Sequence, residues 1–213
     1  MINQVKWIFF DVGGTLVDET DSMRRRVMQT VALQRSLGKE YDPQVLERAM
    51  KKAAQSGGSY FRGAMRSIGI TEMAPYDAVG ERLYPDAIPT LSALATRYRL
   101  AIIANQPPGT AERLRSYGIG HLFSFVLSSA EEGLEKPDRA LFLRALSLSG
   151  CMPEEACMVG DRPDNDIVPA KALGMKTIRI MQGLGGMMPI MSEDARADHT
   201  VSSLSRCLDI FSL

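Results

Sequence analysis

The chain has little of what several classes of protein depend on. Its 213 residues include three cysteines, two histidines and one tryptophan, and 25 basic residues balance 25 acidic ones. Without net charge there is no broad electrostatic field to attract a nucleic-acid backbone or an anionic membrane, so we expect neither partner. No apolar run approaches the roughly 20 residues of a membrane-spanning helix, and the N-terminus does not resemble a signal peptide. The sequence therefore predicts a globular cytoplasmic protein.

The few cysteines and histidines also exclude common kinds of site. Cys151, Cys157 and Cys207 are odd in number, form no CxxC pair and lie in apolar surroundings. We expect reduced thiols in the core rather than disulfides or a zinc site. His121 and His199 have no partner pattern, so we assign them no catalytic role.

What the chain does have is an alternating pattern of helix and short apolar strand. With 45% apolar and 23% charged residues it can bury a sizeable core, as one large domain or two small ones. The alternation predicts βαβ units, and hence an α/β fold with a three-layer, Rossmann-like parallel sheet. The predicted strands are 5–10, 100–104, 124–127, 156–159 and 176–180, with a possible edge strand near 199–201, and the predicted helices are 87–97, 110–117, 137–149 and 165–173.

Residues 20 to about 84 differ from the rest, because they show helical signals and no convincing strand. "MRRRVMQTVALQRSLGKE" ends as a helix at Gly38, and "DPQVLERAMKKAAQ" begins with Asp42 as its cap. "SYFRGAMRSIGI" and "YDAVGERLY" are weaker helix candidates. We expect an inserted α-helical cap over 18–85 and a core made of 1–17 and 86–213.

Polar residues follow the predicted strands where each one ends. Asp11 ends the apolar run "WIFF", Asn105 follows "LAIIA", Lys136 lies in "GLEKPD", and Asp161 and Asp166 lie in "VGDRPDND". The carboxyl ends of parallel strands share one edge of the sheet, so these residues can converge on one pocket. Such a pocket holds a nucleophile, a cation that neutralises phosphoryl oxygens, and carboxylates suited to Mg²⁺.

Each of these residues also has a purely structural interpretation. Asp11 could form a turn at the strand end, Lys136 could be a solvated loop residue, and Asp161, Asp164 and Asp166 could cap the next helix. We favour a site because two of the acids follow a strand at the same edge as Asp11.

Two further segments are open to interpretation. Arg24, Arg25 and Arg26 could receive an anionic substrate, although a solvated helix face explains them better. "QGLGGMM", residues 182–188, indicates a mobile loop near the site.

Taken together, four motifs resemble the haloacid dehalogenase-like hydrolase superfamily, in its phosphatase-type branch with a helical cap after the first strand. The motifs are "FFDVGGTLVD", "LAIIANQ", "EKPDRALF" and "MVGDRPDNDIVPAKALGM", in this order, and they span nearly the whole chain. The resemblance implies a phosphoric monoester hydrolase that acts on a small phosphorylated molecule.

The resemblance also implies a role for each matching residue. Asp11 would attack phosphorus to form an aspartyl-phosphate, which water then hydrolyses, and Lys136 would neutralise charge. Mg²⁺ would be held by Asp11, the backbone carbonyl of Gly13 and Asp161, with Asp166 as a further ligand or an acid behind the ligands. The phosphate would be bound by Gly14, Thr15, Asn105 and Lys136.

Two positions depart from the family pattern. Gly13 stands where phosphatases of this type carry a second aspartate, the general acid, and Ala104 stands where Ser or Thr would donate a hydrogen bond to the phosphate. A positioned general acid contributes about 10² to 10⁴ in rate. We therefore expect slow hydrolysis of alkyl phosphates compared with aryl phosphates, and faster alkyl hydrolysis in Gly13→Asp if the new carboxylate fits.

The same departures leave alternatives open. The chain could be a catalytically degenerate relative that binds phosphate for regulation. It could also be a phosphonatase or a dehalogenase on the same scaffold, although a dehalogenase would not need the metal acids. A phosphoryl-transfer receiver domain is a weaker alternative because of the cap and the length. A monomer or a homodimer fits the sequence equally well.

Overall fold

The computed structural model describes residues 4–212. The strands are β1 (Trp7–Phe10), β2 (Val17–Asp18), β3 (Arg82–Leu83), β4 (Arg99–Ala104), β5 (Phe123–Ser128), β6 (Ala156–Gly160), β7 (Lys176–Ile180) and β8 (His199–Val201). The helices are α1 (Thr20–Ser36), α2 (Pro43–Gln55), α3 (Arg62–Ser67), α4 (Ala87–Ala95), α5 (Thr110–Ser116), α6 (Ser129–Glu132), α7 (Arg139–Ser149), α8 (Val168–Lys171) and α9 (Cys207–Phe211).

The main sheet is parallel and has six strands in the order β5-β4-β1-β6-β7-β8. Strand β1 is central, with Phe10 opposite Ile102 of β4 and Val159 of β6. Every residue of β1 is buried, as its uninterrupted apolar run predicts for a strand covered on both faces. The predicted strands, including the edge strand at 199–201, are confirmed to within about two residues.

Two apolar clusters cover the two faces of this sheet. Ile8 and Phe10 of β1 belong to one cluster with residues of α4 and α9, and Trp7 and Phe9 belong to the other with residues of α7. Alternate side chains of a strand point to opposite faces, so one strand feeds both clusters. The three-layer α/β prediction is confirmed.

The cysteines are placed as the sequence predicts. Cys157 and Cys207 are buried, Cys151 is half-buried, and all three are free thiols. Burial raises the pKa of Cys207 to about 12, so this thiol stays neutral.

Helices α1 to α3 form the inserted cap and have an apolar cluster of their own, which includes Val27, Leu46 and Met65. The cap leaves and rejoins the core at the antiparallel pair β2–β3, where Val17 lies opposite Leu83. The cap limits of 18–85 remain a prediction.

The segment "YDAVGERLY" is not a helix, and that prediction is wrong. Gly80 has a φ of 95°, outside the helical region, and Arg82–Leu83 is strand β3. The segment must return the chain to the core, so its backbone pairs with the β2 segment, and the Tyr84 N–H bonds to the Leu16 carbonyl at 3.0 Å.

The predicted helix 165–173 begins as a π-helical turn over Pro163–Ile167 and continues as α8. Over residues 4–212, no helix combines the length and apolar character needed to cross a membrane.

Candidate active site

Three carboxylates meet at the carboxyl edge of the sheet. Asp11 directly follows β1, Asp161 directly follows β6, and Asp166 lies in the π-helical turn after it. One oxygen from each lies within 4.8 Å of the others, and all three residues are buried. The convergence predicted from the strand ends is therefore present.

Lys136 joins two of these acids. Its Nζ lies 2.9 Å from Asp11 Oδ1 and 2.6 Å from Asp166 Oδ1, and the residue is only 2% exposed. Burial by itself lowers the pKa of Lys136, but the neighbouring charges of Asp11 and Asp166 outweigh it and raise the pKa. Lys136 is a buried cation and not a solvated loop residue.

One ammonium does not balance three carboxylates. Burial first, and then the charges of Asp11 and Asp166, raise the pKa of Asp161 well above its usual value. Burial and the charge of Asp11 also raise the pKa of Asp166 to about 6, against the lowering effect of Lys136. Asp161 Oδ1 is buried without a hydrogen-bond partner in the described part of the chain. An unpaired oxygen in a crowded group of acids fits a divalent cation bound by oxygen ligands.

Asp166 combines both interpretations that the sequence left open. Its Oδ2 accepts a hydrogen bond of 2.9 Å from the Arg162 backbone N–H, which stabilises the turn, while its Oδ1 contacts Lys136. Asp164 takes no part in the cluster, because its carboxylate binds the Arg162 guanidinium, with Oδ1 3.0 Å from Nε.

Asn105 holds the backbone of Lys136. Its Nδ2 donates to the Lys136 carbonyl at 2.7 Å, and its Oδ1 accepts from the Lys136 N–H at 2.8 Å. Both polar atoms of the amide therefore position the lysine, and a direct contact of Asn105 with phosphate remains a prediction.

The "GGT" turn lies against the acids. Gly14 has a φ of 67°, and a Cβ there would lie 2.5 Å from Asp161 Oδ2, so both conformation and space favour glycine. The Thr15 hydroxyl is buried without a partner among residues 4–212. A contact of this hydroxyl with phosphate remains a prediction.

A glutamate that the sequence analysis did not single out also lies at the site. Glu19 is the residue between β2 and α1. Its Oε1 accepts hydrogen bonds from Tyr76 OH at 3.1 Å and Gln106 Nε2 at 3.2 Å. Burial, and then the charges of Glu81 and Asp11, raise the pKa of Glu19 to about 7, although the bond from Gln106 opposes the shift.

Glu19 belongs to a closed ring of polar contacts, which we call the hinge network and define as Glu19, Tyr76, Glu81, Gln106 and Arg113. Tyr76 OH also contacts Glu81, Glu81 Oε2 lies 3.2 Å from Arg113 Nε, and Arg113 donates to Gln106. Because its residues come from both ends of the cap and from the core, the ring couples the cap to the sheet edge.

A buried arginine fixes the loop 182–188. Arg179 of β7 is 2% exposed and donates to the carbonyls of Asp161 at 3.2 Å, Gly185 at 3.0 Å and Met188 at 2.6 Å. A Cβ on Gly185 would lie 2.5 Å from Asp161 Cγ. The predicted position of this loop beside the site is confirmed, and its predicted mobility remains a prediction.

A cavity of about 370 Å³ lies between cap and core. Its lining includes Glu19, Arg24, Lys51, Tyr60, Asp161 and Leu184. Of the three consecutive arginines, Arg24 faces this cavity, Arg25 pairs with Asp77 and Arg26 lies 3.8 Å above the Phe61 ring. A uniformly solvated helix face is therefore wrong for Arg26.

The sequence carried only weak signals for Glu19, Gln106 and Arg179. Gln106 follows Asn105 in "ANQ", and Arg179 is one charged residue in the apolar strand "KTIRI". Glu19 lies in no motif or periodic pattern. Nothing in the sequence therefore indicates that its side chain lies beside Gly13.

The chain is similar in sequence to known hydrolases. A family profile described as haloacid dehalogenase-like hydrolase matches residues 5–174. A glyceraldehyde 3-phosphate phosphatase from Methanocaldococcus jannaschii is 30% identical over 97% of this chain and 96% of that protein. A protein of the same name from Methanopyrus kandleri is 32% identical over 97% of both.

Solved structures show the same fold. A predicted phosphoglycolate phosphatase from Haemophilus somnus superposes with a TM-score of 0.74 at 23% identity, covering 98% of both chains. A phosphatase from Thermococcus onnurineus gives 0.71 at 24% identity, covering 97% of this chain and 98% of the other.

Proposed function

The chain belongs to the haloacid dehalogenase-like hydrolases, and from this membership we propose that it is a Mg²⁺-dependent phosphatase of small phosphate monoesters that works through an aspartyl-phosphate on Asp11. The observation that carries the proposal is the buried cluster of Asp11, Asp161 and Asp166 with Lys136 between two of them.

Asp11 is the residue best placed to attack. It ends the central strand, and Lys136 contacts only its Oδ1 in the described structure, which leaves Oδ2 available for bond formation with phosphorus. The lysine ammonium then neutralises part of the charge that the phosphoryl oxygens bring into a buried site. Asn105 keeps the lysine in place by binding its backbone.

Asp11, Asp161 and Asp166, with the carbonyl of Gly13, would hold the Mg²⁺ ion. When bound, the ion supplies positive charge that screens the carboxylates from each other and from the phosphate. The unpaired Oδ1 of Asp161 supports this assignment.

The substrate class follows from the cavity. About 370 Å³ accommodates a molecule of metabolite size, and Arg24 and Lys51 of the cap add positive charge to its lining. The relatives from M. jannaschii and M. kandleri are named for glyceraldehyde 3-phosphate, so three-carbon phosphates come first in a substrate panel.

We expect Asp11→Asn to abolish both turnover and covalent phosphorylation, because an amide does not attack phosphorus. Phosphate release should be measured with and without Mg²⁺ on phosphate esters, a phosphonate and a haloacid. Mass spectrometry of the quenched protein should show one added phosphoryl group on the native chain and none on Asp11→Asn. Asp209→Asn is the matched control, because Asp209 is an exposed residue of α9 that does not line the cavity.

Three results would contradict the proposal. These are full activity in a folded Asp11→Asn variant, turnover of the haloacid or phosphonate alone, and phosphate release that is independent of added or bound metal.

A further inference from the structure

The space that a side chain at position 13 would fill is already occupied. Gly13 does not have a positive φ, so its backbone would accept other residues. However, a Cβ built on Gly13 would lie 2.5 Å from both Cδ and Oε2 of Glu19. The carboxyl group of Glu19 therefore lies where the first atoms of an aspartate side chain at position 13 would be.

Glu19 is held there by hydrogen bonds to one of its two oxygens. Oε1 accepts from Tyr76, which lies between α3 and β3 where the chain returns from the cap to the core, and from Gln106 of the core. Within residues 4–212 no donor contacts Oε2. Glu19 also lines the cavity, so one oxygen is anchored and the other is available to a ligand.

The neighbouring carboxylate does not offer the same possibility. Asp18 also lines the cavity, but its Oδ1 accepts from the Thr20 N–H at 2.9 Å and its Oδ2 lies 3.5 Å from Arg82 Nε. Both oxygens of Asp18 are engaged as acceptors at the junction of cap and core.

We propose that Glu19 is the general acid and base of this enzyme, in place of the acid that Gly13 lacks. The inference rests on the proposed phosphatase function. As the bond from Asp11 to phosphorus forms and the bond from phosphorus to the leaving oxygen breaks, the Glu19 carboxyl gives its proton to that oxygen. Water then attacks the aspartyl-phosphate and gives one proton to the Glu19 carboxylate. The Asp11–phosphorus bond breaks, and inorganic phosphate leaves.

This inference replaces the expectation that alkyl phosphates are poor substrates. It also changes the expected outcome of Gly13→Asp, since the new side chain would collide with Glu19 and displace it from Tyr76 and Gln106. An aspartate fits at position 13 only if the side chain at position 19 is shortened at the same time.

The test is the dependence of kcat/KM on the leaving group in Glu19→Gln. For glycerol phosphate, whose alcohol needs a proton to leave, we expect a loss of about 10² to 10⁴. For p-nitrophenyl phosphate, whose phenolate leaves unaided, we expect a loss at least tenfold smaller. Thermal unfolding of each variant shows that it is folded. Asp21→Asn, the matched control, changes a carboxylate that pairs with Arg82 and does not line the cavity, so it should keep the native ratio of alkyl to aryl rates.

A double variant provides the second half of the test. Glu19→Ala should lose alkyl activity like Glu19→Gln. Adding Gly13→Asp to Glu19→Ala should raise kcat/KM for glycerol phosphate at least tenfold above that of Glu19→Ala. Gly13→Asp alone should not exceed the native rate.

Each outcome decides a different question. A folded Glu19→Gln variant with the native alkyl-to-aryl ratio overturns the inference and leaves the phosphatase function standing. A native protein that releases no phosphate from any ester overturns the proposed function, and the inference with it.

Discussion

At the scale of single residues, the site is dominated by an excess of buried negative charge. Asp11, Asp161 and Asp166 face one ammonium, that of Lys136. Asp161 has the least compensation, because its Oδ1 has no partner in the part of the chain that the structure describes. This residue should therefore respond most clearly to a bound cation.

We expect Asp161→Asn to remove the stabilisation that Mg²⁺ gives the native protein. An ion at a hundredfold its Kd stabilises a folded protein by about 2.7 kcal/mol, and the variant should show little of this effect in thermal unfolding with and without Mg²⁺. Without Mg²⁺ the variant should be the more stable protein, because the amide carries no buried charge.

Asp164→Asn is the control for that measurement. Its carboxylate binds Arg162 outside the cluster, so it should keep the full Mg²⁺ effect. Undiminished stabilisation of Asp161→Asn by Mg²⁺ would count against the metal assignment.

At the scale of elements, the site depends on one strand and the loop that follows it. Arg179 of β7 donates to the Gly185 and Met188 carbonyls of the loop 182–188 and to the Asp161 carbonyl. An arginine buried in a parallel strand is unfavourable unless its donors are satisfied. Here Nε and Nη2 bind backbone acceptors, which fixes the loop against Asp161.

We expect Arg179→Met to lower the free energy of unfolding by at least about 3 kcal/mol, since each buried carbonyl left without a donor costs about 1–3 kcal/mol. Urea unfolding measures the loss, and limited proteolysis should cut the variant within 182–188. Arg206→Met removes an exposed arginine paired with Asp209 and should change stability by no more than about 0.5 kcal/mol. Equal losses in the two variants would show that the loop does not depend on Arg179.

At the scale of the whole molecule, cap and core are joined by the paired strands β2 and β3 and by the hinge network. The network buries Glu19 beside Glu81 and near Asp11, which raises the pKa of Glu19 to about 7 from its usual 4.5. A carboxyl whose pKa is higher in the folded state favours folding when it is protonated. Its ionisation destabilises the fold as the pH rises from about 4.5 through about 7.

We therefore expect the stability of metal-free Glu19→Gln to separate from that of the native protein as the pH rises. The difference should be small at pH 5, and by pH 8 the variant should be more stable by up to about 3 kcal/mol, since one pKa unit corresponds to about 1.4 kcal/mol. Urea unfolding between pH 5 and 8 measures it. A constant difference across this range would show that Glu19 does not titrate with a raised pKa.

The sequence by itself determined the sheet, the cap and the three acids with their lysine. Each of these has a local signal: an apolar run buries a strand, a helical period marks the cap, and a polar residue at the end of a parallel strand must lie at the shared edge. The same logic failed for β3, because a two-residue strand that returns the chain to the core has no pattern of its own.

Only the tertiary structure decided what stands in place of the missing acid. In the sequence, Gly13 indicates only that the general acid is missing, because nothing in the residues around Glu19 shows where the Glu19 side chain lies. In the fold, Tyr76 and Gln106, which are far apart along the chain, hold that side chain in the space beside Gly13. A contact of this kind depends on how cap and core pack together, and packing between distant segments leaves no periodic trace in the sequence.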